Sequence, residues 1–262
     1  MFLCIRMDTI TIHLPQAKKV YFASDFHLGV PDHATSSQRE KLLVEWLDAI
    51  KSDAHTVFLI GDVFDFWFEY KYTIPKGFIR FQGKLAELAD AGIKFYFFPG
   101  NHDLWMFDYY EKELGATISR EPIQFQIKDK KFYVVHGDGY GPGDTTHKFI
   151  LKIFESKFFQ WIFSIFPVDF SYWIAHKWSR GSRASNNKKE EHFLNEDEWL
   201  WTFTKEIQRK EHHDFYIFGH RHLQLDLKVD ETSRYINLGE WVNSSPYGVF
   251  DGEKMEVKIF KP

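Results

Sequence analysis

The chain of 262 residues has one cysteine, Cys4. No disulfide can form within it, and no set of thiolates can close a structural zinc site. That scarcity fits a reducing cytoplasm. No apolar run reaches about 18 residues, so no membrane-spanning helix is expected. The opening "MFLCIRMDTI" is apolar, but too short and too charged for a signal peptide. Neither sign of charge dominates: 33 Lys and Arg face 37 Asp and Glu, for a net charge of −4. A chain-wide electrostatic footprint for nucleic acid or membrane is thereby excluded, though a local one is not. No internal repeat, low-complexity tract or long linker divides the chain, which reads as one domain over 1–262.

Aromatic residues are plentiful: 28 Phe, 12 Tyr and 9 Trp make up 19% of the chain. Apolar, β-rich runs occur at 19–23 ("KVYFA"), 56–60 ("TVFLI"), 93–98 ("IKFYFF") and 131–135 ("KFYVV"). Helical stretches separate them. One covers about 38–51, with Leu42, Leu43, Trp46, Leu47 and Ile50 on one stripe; another covers about 78–90. Continuous apolar strands alternating with amphipathic helices predict an α/β layered sheet. An acidic helix over about 190–210 and strands at 214–222, 223–229, 233–239 and 253–260 follow.

The first four strands stop at polar signatures: "SDFH", "GDVFD", "PGNHD" and "HGDG". In α/β sheets, ligands bind beyond the carboxyl ends of strands. Asp25 and His27 stand two apart, and on an extended chain such residues point to one side. A carboxylate at a core edge is costly unless compensated, so a cation is expected there. The strand-end residues are Asp25, His27, Asp62, Asn101, His102, His136, His220 and His222. Carboxylate, imidazole and amide oxygen together suit Mn, Fe or Zn rather than Ca or Mg. About seven ligands exceed one ion's needs; two ions about 3.5–4 Å apart, sharing a carboxylate, would use them. Singly, "GD" is an ordinary turn and "GHRH" reads as surface histidine. The ordered set has no such bland reading.

The order D-x-H, G-D-x-x-D, G-N-H-D, H-G-D, G-H-x-H resembles the calcineurin-like metallophosphoesterase family. The resemblance implies a four-layer αββα sandwich of two packed mixed sheets flanked by helices. It implies one ion held by Asp25, His27, Asp62 and His222. A second would be held by Asp62, Asn101, His136 and His220, with Asp62 bridging. Two such dications, Mn2+ first and Fe or Zn otherwise, polarise phosphoryl oxygens and lower the pKa of a water that attacks phosphorus in line. His102 then reads as the catalytic group that protonates the leaving oxygen or stabilises the transition state, with Asp103 orienting it. Asp103 also reads as the N-cap of a helix starting near Leu104. Asp65 reads as a carboxylate behind the ligands.

Between 147 and 178 the chain turns aromatic, with 11 rings from Phe149 to Trp178. Two or three short helices are expected here, inserted between core strands. So short an excursion either packs on the sheets or exposes a patch, and a large patch marks a binding surface. From Lys148 to Lys189 there are eight Lys and Arg against Glu155 and Asp169 alone. An apolar, basic cap suits an amphiphile with acyl chains and an anionic head, and peripheral contact with the cytoplasmic face of the inner membrane.

"GDVFDFWFEY", "HGDG…GD" and "SRASNNKK" are similar to the UDP-2,3-diacylglucosamine pyrophosphatases of lipid A synthesis. Those enzymes split the diphosphate of a UDP–diacyl sugar into UMP and the lipid 1-phosphate. The similarity implies a helical lid over 145–190 that holds acyl chains. It places Arg183, Asn186, Lys188 and Lys189 near the sugar and diphosphate, and Asp138 and Asp144 at the site rim. A solvated helix start is the plain reading of the two lysines. His102 departs from the best-known members, which carry Arg there. The rival readings are a phosphodiesterase or nuclease on another nucleotide or phospholipid-like substrate, a protein phosphatase, and a metal-free binding scaffold. The net charge and apolar insert oppose nucleic acid, and the full ligand set opposes the scaffold.

Overall fold

The computed structural model describes residues 9–142, 145–174, 177, 193–194 and 198–262. Its apolar runs become strands that bury both faces. β2 (Lys19–Ala23) sends Val20 and Phe22 to one side and Tyr21 and Ala23 to the other, as a two-residue period requires. β3 (Ala54–Leu59), β4 (Lys94–Phe97) and the short β5 (Thr117–Ile118) line up parallel beside it. β11 (Pro246–Phe250) pairs antiparallel on β2's other edge and carries β12 (Met255–Ile259), giving the order β12-β11-β2-β3-β4-β5.

A second six-stranded sheet has the order β1-β6-β7-β8-β10-β9. Its members are β1 (Thr9–Ile12), β6 (Ile123–Ile127), β7 (Lys130–Val134), β8 (Phe215–Phe218), β9 (Gln224–Lys228) and β10 (Arg234–Leu238). The sheets meet through an apolar layer in which Phe58 stacks on Phe22 at 4.8 Å and meets Phe125 edge-on at 4.8 Å. Helices α1 (His33–Ile50) and α2 (Ile79–Asp90) cover the outer face of the first sheet through Leu43, Trp46, Leu47, Phe81 and Leu85. α7 (Trp199–Gln208) covers the second through Leu200, against Tyr133, Tyr216 and Tyr235. The layers are therefore α, β, β, α, as expected.

α1 starts about five residues before the expected helix, because Asp32 caps it by accepting the Thr35 N–H at 2.9 Å. β1, β5, β6 and β11 were not anticipated. β6, "IQFQI", alternates with glutamine, β5 has two residues, and Pro246 and Gly248 break the apolar run of β11. The strand expected over 214–222 stops at Phe218, so "GHRH" lies beyond it.

α3 (Tyr109–Leu114) precedes β5, and α4 (Thr145–Glu155), α5 (Lys157–Ile165) and helical residues 168–174 (α6) lie between β7 and β8. This segment does both things offered for it. Inward, Phe154 and Phe163 pack on Trp105, Tyr172 meets Phe66, and the Trp105 indole donates to the Phe154 carbonyl at 2.8 Å. Outward, Phe158, Trp161, Ile165 and Trp173 remain exposed. Lys177 lies 5.0 Å over the Trp173 ring. No described helix is long and apolar enough to cross a membrane.

Candidate metal centre

Asp25 and His27 converge by a different route from strand alternation. β2 ends at Ala23, and both residues lie past it in left-handed backbone, with φ of +55° and +45°. Asp62, His220 and His222 share that region, at +50°, +66° and +53°. Each such residue costs about 1–3 kcal/mol unless its surroundings impose it. Here they do. The N–H groups of Asp25, His27 and Leu28 donate to the carbonyls of Gly61, Asp62 and Val63 at 2.8–3.0 Å. The Asp25 carboxylate accepts the His220 N–H at 3.1 Å, and Asp62 Oδ1 accepts the His102 N–H at 3.0 Å. The loops after β2, β3, β4, β7 and β8 thus meet at one end of the sandwich.

Among the described residues three groups of ligating atoms result, each within 4.8 Å: Asp25, His27, Asp62 and His222; Asp62, His136 and His220; and His27, Asp65 and His102. Asp62 belongs to the first two, and His27 links the first to the third. In the first, His27 Nε2 lies 3.0 Å from His222 Nε2, which is 3.3 Å from Asp25 Oδ1. In the second, His136 Nδ1 donates to the Ile60 carbonyl at 2.8 Å, because a carbonyl only accepts. Its Nε2 therefore faces Asp62 Oδ2 at 3.5 Å, buried and without a hydrogen-bond partner. Asn101 Oδ1 is likewise buried and unpartnered. Orphaned buried polar atoms are rare, and a divalent cation satisfies both. The donor set fits two such ions.

Glycine precedes ligands for a steric reason. A Cβ on Gly100 would run into Asp62 Oδ1 and come within 2.5 Å of His136 Nε2. On Gly219 it would stand 2.5 Å from Asp25 Oδ2. The "GN" and "GH" pairs leave room for the neighbouring ligands.

The charges are strongly linked. Burial alone would raise the Asp62 pKa, but His136 and His102 outweigh it and hold the carboxyl well below the ordinary range. Burial would also lower His136, yet the Asp62 carboxylate raises it to about 10.

Two readings of individual residues need correcting. Asp103 does not lie against His102. Its buried carboxylate accepts the N–H groups of Asp62, Val63, Phe64 and Gly100 at 2.7–3.4 Å, bracing two ligand loops. Burial first, then the Asp62 charge, raises its pKa to about 6. No helix starts at Leu104 for it to cap. The group beside His102 is Asp65, whose carbonyl lies 3.0 Å and whose Oδ1 lies 3.5 Å from His102 Nδ1. Asp138 is not at the rim either. It is 1% exposed, and both oxygens pair with the Arg120 guanidinium. Burial opposes its charge, but Arg120 holds its pKa below the usual value. Asp144, Arg183, Asn186, Lys188 and Lys189 lie outside the described residues.

Three arginines went unread in the sequence. Arg120 also donates to the Pro99 carbonyl at 2.8 Å, beside the "GNHD" loop. Buried Arg39, on α1, donates from Nη1 to the carbonyls of Phe26, His27 and Val30 at 2.8–3.1 Å. Arg221 sits between two ligands, where the motif treats it as a spacer. No spacing rule marks the first two.

The calcineurin-like phosphoesterase model matches residues 18–224. The chain belongs to the calcineurin-like phosphoesterase family. It is 38% identical over 247 residues to the UDP-2,3-diacylglucosamine hydrolase of Porphyromonas gingivalis, covering 89% of this chain and 94% of that protein. It is 27% identical over 229 residues to the protein of that name from Haemophilus influenzae, covering 86% and 91%. With the enzyme named alike from Proteus mirabilis it shares 27% over 244 residues, covering 91% and 98%. This calcineurin-like phosphoesterase is a metal-dependent hydrolase, and its carboxylate–imidazole cluster lies within the matched residues.

Ligand imidazoles bind metal as free bases. In the metal-free chain His136 keeps its proton up to about pH 10, above its ordinary 6.5. That pairing stabilises the metal-free fold below pH 6.5 and is lost as pH rises through about 10. An ion held by His136 would have to expel that proton at pH 7, and its affinity would rise with pH. Calorimetry of Mn2+ uptake in buffers of different ionisation enthalpy is expected to show net proton release. A heat independent of the buffer contradicts this.

Proposed function

We propose that this hydrolase uses water to divide the diphosphate of UDP-2,3-diacylglucosamine into UMP and 2,3-diacylglucosamine 1-phosphate. One observation carries the choice of substrate. The aromatic helices α4 to α6 dock on Phe66 and Trp105, beside the Asp65 and His102 loops, while further rings face outward. A dimetal centre flanked by apolar rings suits a substrate with a diphosphate at one end and acyl chains at the other. The curated relatives, named for that substrate, support the same reading. In this reading residues 145–190 form the lid, and Arg183, Asn186, Lys188, Lys189 and Asp144 meet the head group.

Asp25, His27, Asp62 and His222 would hold one ion, and Asp62, Asn101, His136 and His220 the other, with Mn2+ the first choice of metal. Bound there, the ions supply charge to polarise the phosphoryl group and acidify water. The rest belongs to the chain. His102 Nδ1 bonds to the Asp65 carbonyl, which leaves Nε2 for the leaving oxygen. Asp65 Oδ1, 3.5 Å from Nδ1, helps fix the ring so that Nε2 is placed to deliver a proton. Asp103 keeps the β3 and β4 loops in register, so that Asp62 and Asn101 address the same reaction centre.

Turnover of UDP-2,3-diacylglucosamine with Mn2+, beside bis-p-nitrophenyl phosphate, tests the substrate. Fast UMP release with slow attack on the generic ester is expected; activity on the generic ester alone would refute the lipid reading. Replacing His102 by Ala should lower kcat by about 10²–10⁴-fold with metal content unchanged. Wild-type kcat at every pH would remove the proton-delivery role. The exposed rings beside Lys157 and Lys177 also support peripheral docking on the cytoplasmic face of the inner membrane. Flotation with anionic liposomes is expected to carry the protein upward, and absence of co-migration would end that idea.

A further inference from the structure

The turn bearing His220 and His222 is gripped from behind. Arg221, between them, is 1% exposed. Its Nε donates to Glu198 Oε1 at 2.8 Å and its Nη2 to Oε2 at 3.1 Å, a two-pronged pairing. Glu198 is fully buried. It occupies the N-cap of α7, yet its side chain makes no capping bond there. The carboxylate serves the arginine instead of its own helix. The guanidinium also lies 4.8 Å over the Trp199 ring.

This expense needs a reason. Burying two charges yields little net stability, and an apolar pair would fill the space as well. A planar guanidinium held by two parallel bonds does something an apolar pair cannot: it fixes position and direction together. The backbone around it needs fixing. His220 and His222 both adopt positive φ, and the Arg221 N–H closes a tight turn onto the Gly219 carbonyl at 2.8 Å. With left-handed residues on both sides, small rotations at 221 would swing the two imidazoles apart. The same fork ties the turn to the first residues of α7, where the chain re-enters the core after the α4–α6 segment.

We propose that Glu198 and Arg221 are positioning residues for the metal centre. Their fork holds the 219–222 turn so that His220 addresses one ion and His222 the other. The inference rests on the assignment of those histidines as ligands. It predicts that disturbing either partner weakens metal uptake without touching a ligand.

Mn2+ titration calorimetry of the metal-free full chain tests this with four proteins: wild type, Glu198→Gln, Arg221→Lys and His222→Ala. Circular dichroism checks that each is folded, and kcat and KM are read as Mn2+ is raised. Both clamp variants should bind Mn2+ about 10–100-fold more weakly. Raising Mn2+ should restore kcat while KM for the substrate stays constant, a response that simple loss of folded protein would not give. Should Arg221→Lys fail to fold, the near-isosteric Glu198→Gln carries the test. Wild-type Mn2+ affinity in the folded clamp variants overturns the clamp alone, provided His222→Ala has lost affinity. If His222→Ala binds as wild type does, the ligand assignment falls and the clamp falls with it.

Discussion

A carboxylate buried as deeply as Asp62 keeps its charge only among positive neighbours. His136 and His102 supply that environment in the metal-free chain, and two dications would supply it in the working enzyme. Much of the local structure follows from this one group. Asp62 adopts a left-handed backbone, Gly100 carries no Cβ so that Asp62 Oδ1 has room, and Asp103 accepts the Asp62 N–H from behind. The His102 N–H tethers Oδ1, which leaves Oδ2 facing His27 and His136. One side chain therefore links four loops that lie far apart in sequence.

The sandwich exists, chemically, to bring those loops together. Parallel β2, β3 and β4 end at the same edge of one sheet, and parallel β7 and β8 end at the matching edge of the other. Aromatic packing around Phe58 sets the sheets against each other, and the loops at their carboxyl ends then meet at one end of the sandwich. Strain at five left-handed residues of the cluster is tolerable because backbone hydrogen bonds and buried charged anchors fix each turn. Asp103, Arg39 and the Glu198–Arg221 pair all bond to, or stand within, ligand loops without being ligands themselves.

What the sequence disclosed, it disclosed through burial and through steric need. β2, β3, β4 and β7 were legible because strands covered on both faces are apolar throughout. β6 and β11 were not, since alternation with glutamine and interruption by Pro246 and Gly248 blur the pattern. The carboxylates and imidazoles that converge at the strand ends were legible because they stand in motifs there, and crowding fixes the glycines before them. Asp103 and Asp138 were misread for one reason: a carboxylate in a motif looks the same whether it faces substrate or turns inward to backbone N–H groups or an arginine. Arg120 and Arg39 carry no periodic or motif signal, and only the folded chain shows which loops they hold.

The aromatic segment carries the question of substrate, whereas the metal centre carries the claim that this is a dimetal hydrolase. That claim turns on Asp62 serving both cages. The most direct measurement is the Mn2+ content per chain of wild type and Asp62→Ala, by elemental analysis after loading and gel filtration, with folding checked by circular dichroism. The account predicts two ions per wild-type chain and none retained by the folded variant. A folded variant that still holds one ion would show the cages to be independent and contradict it.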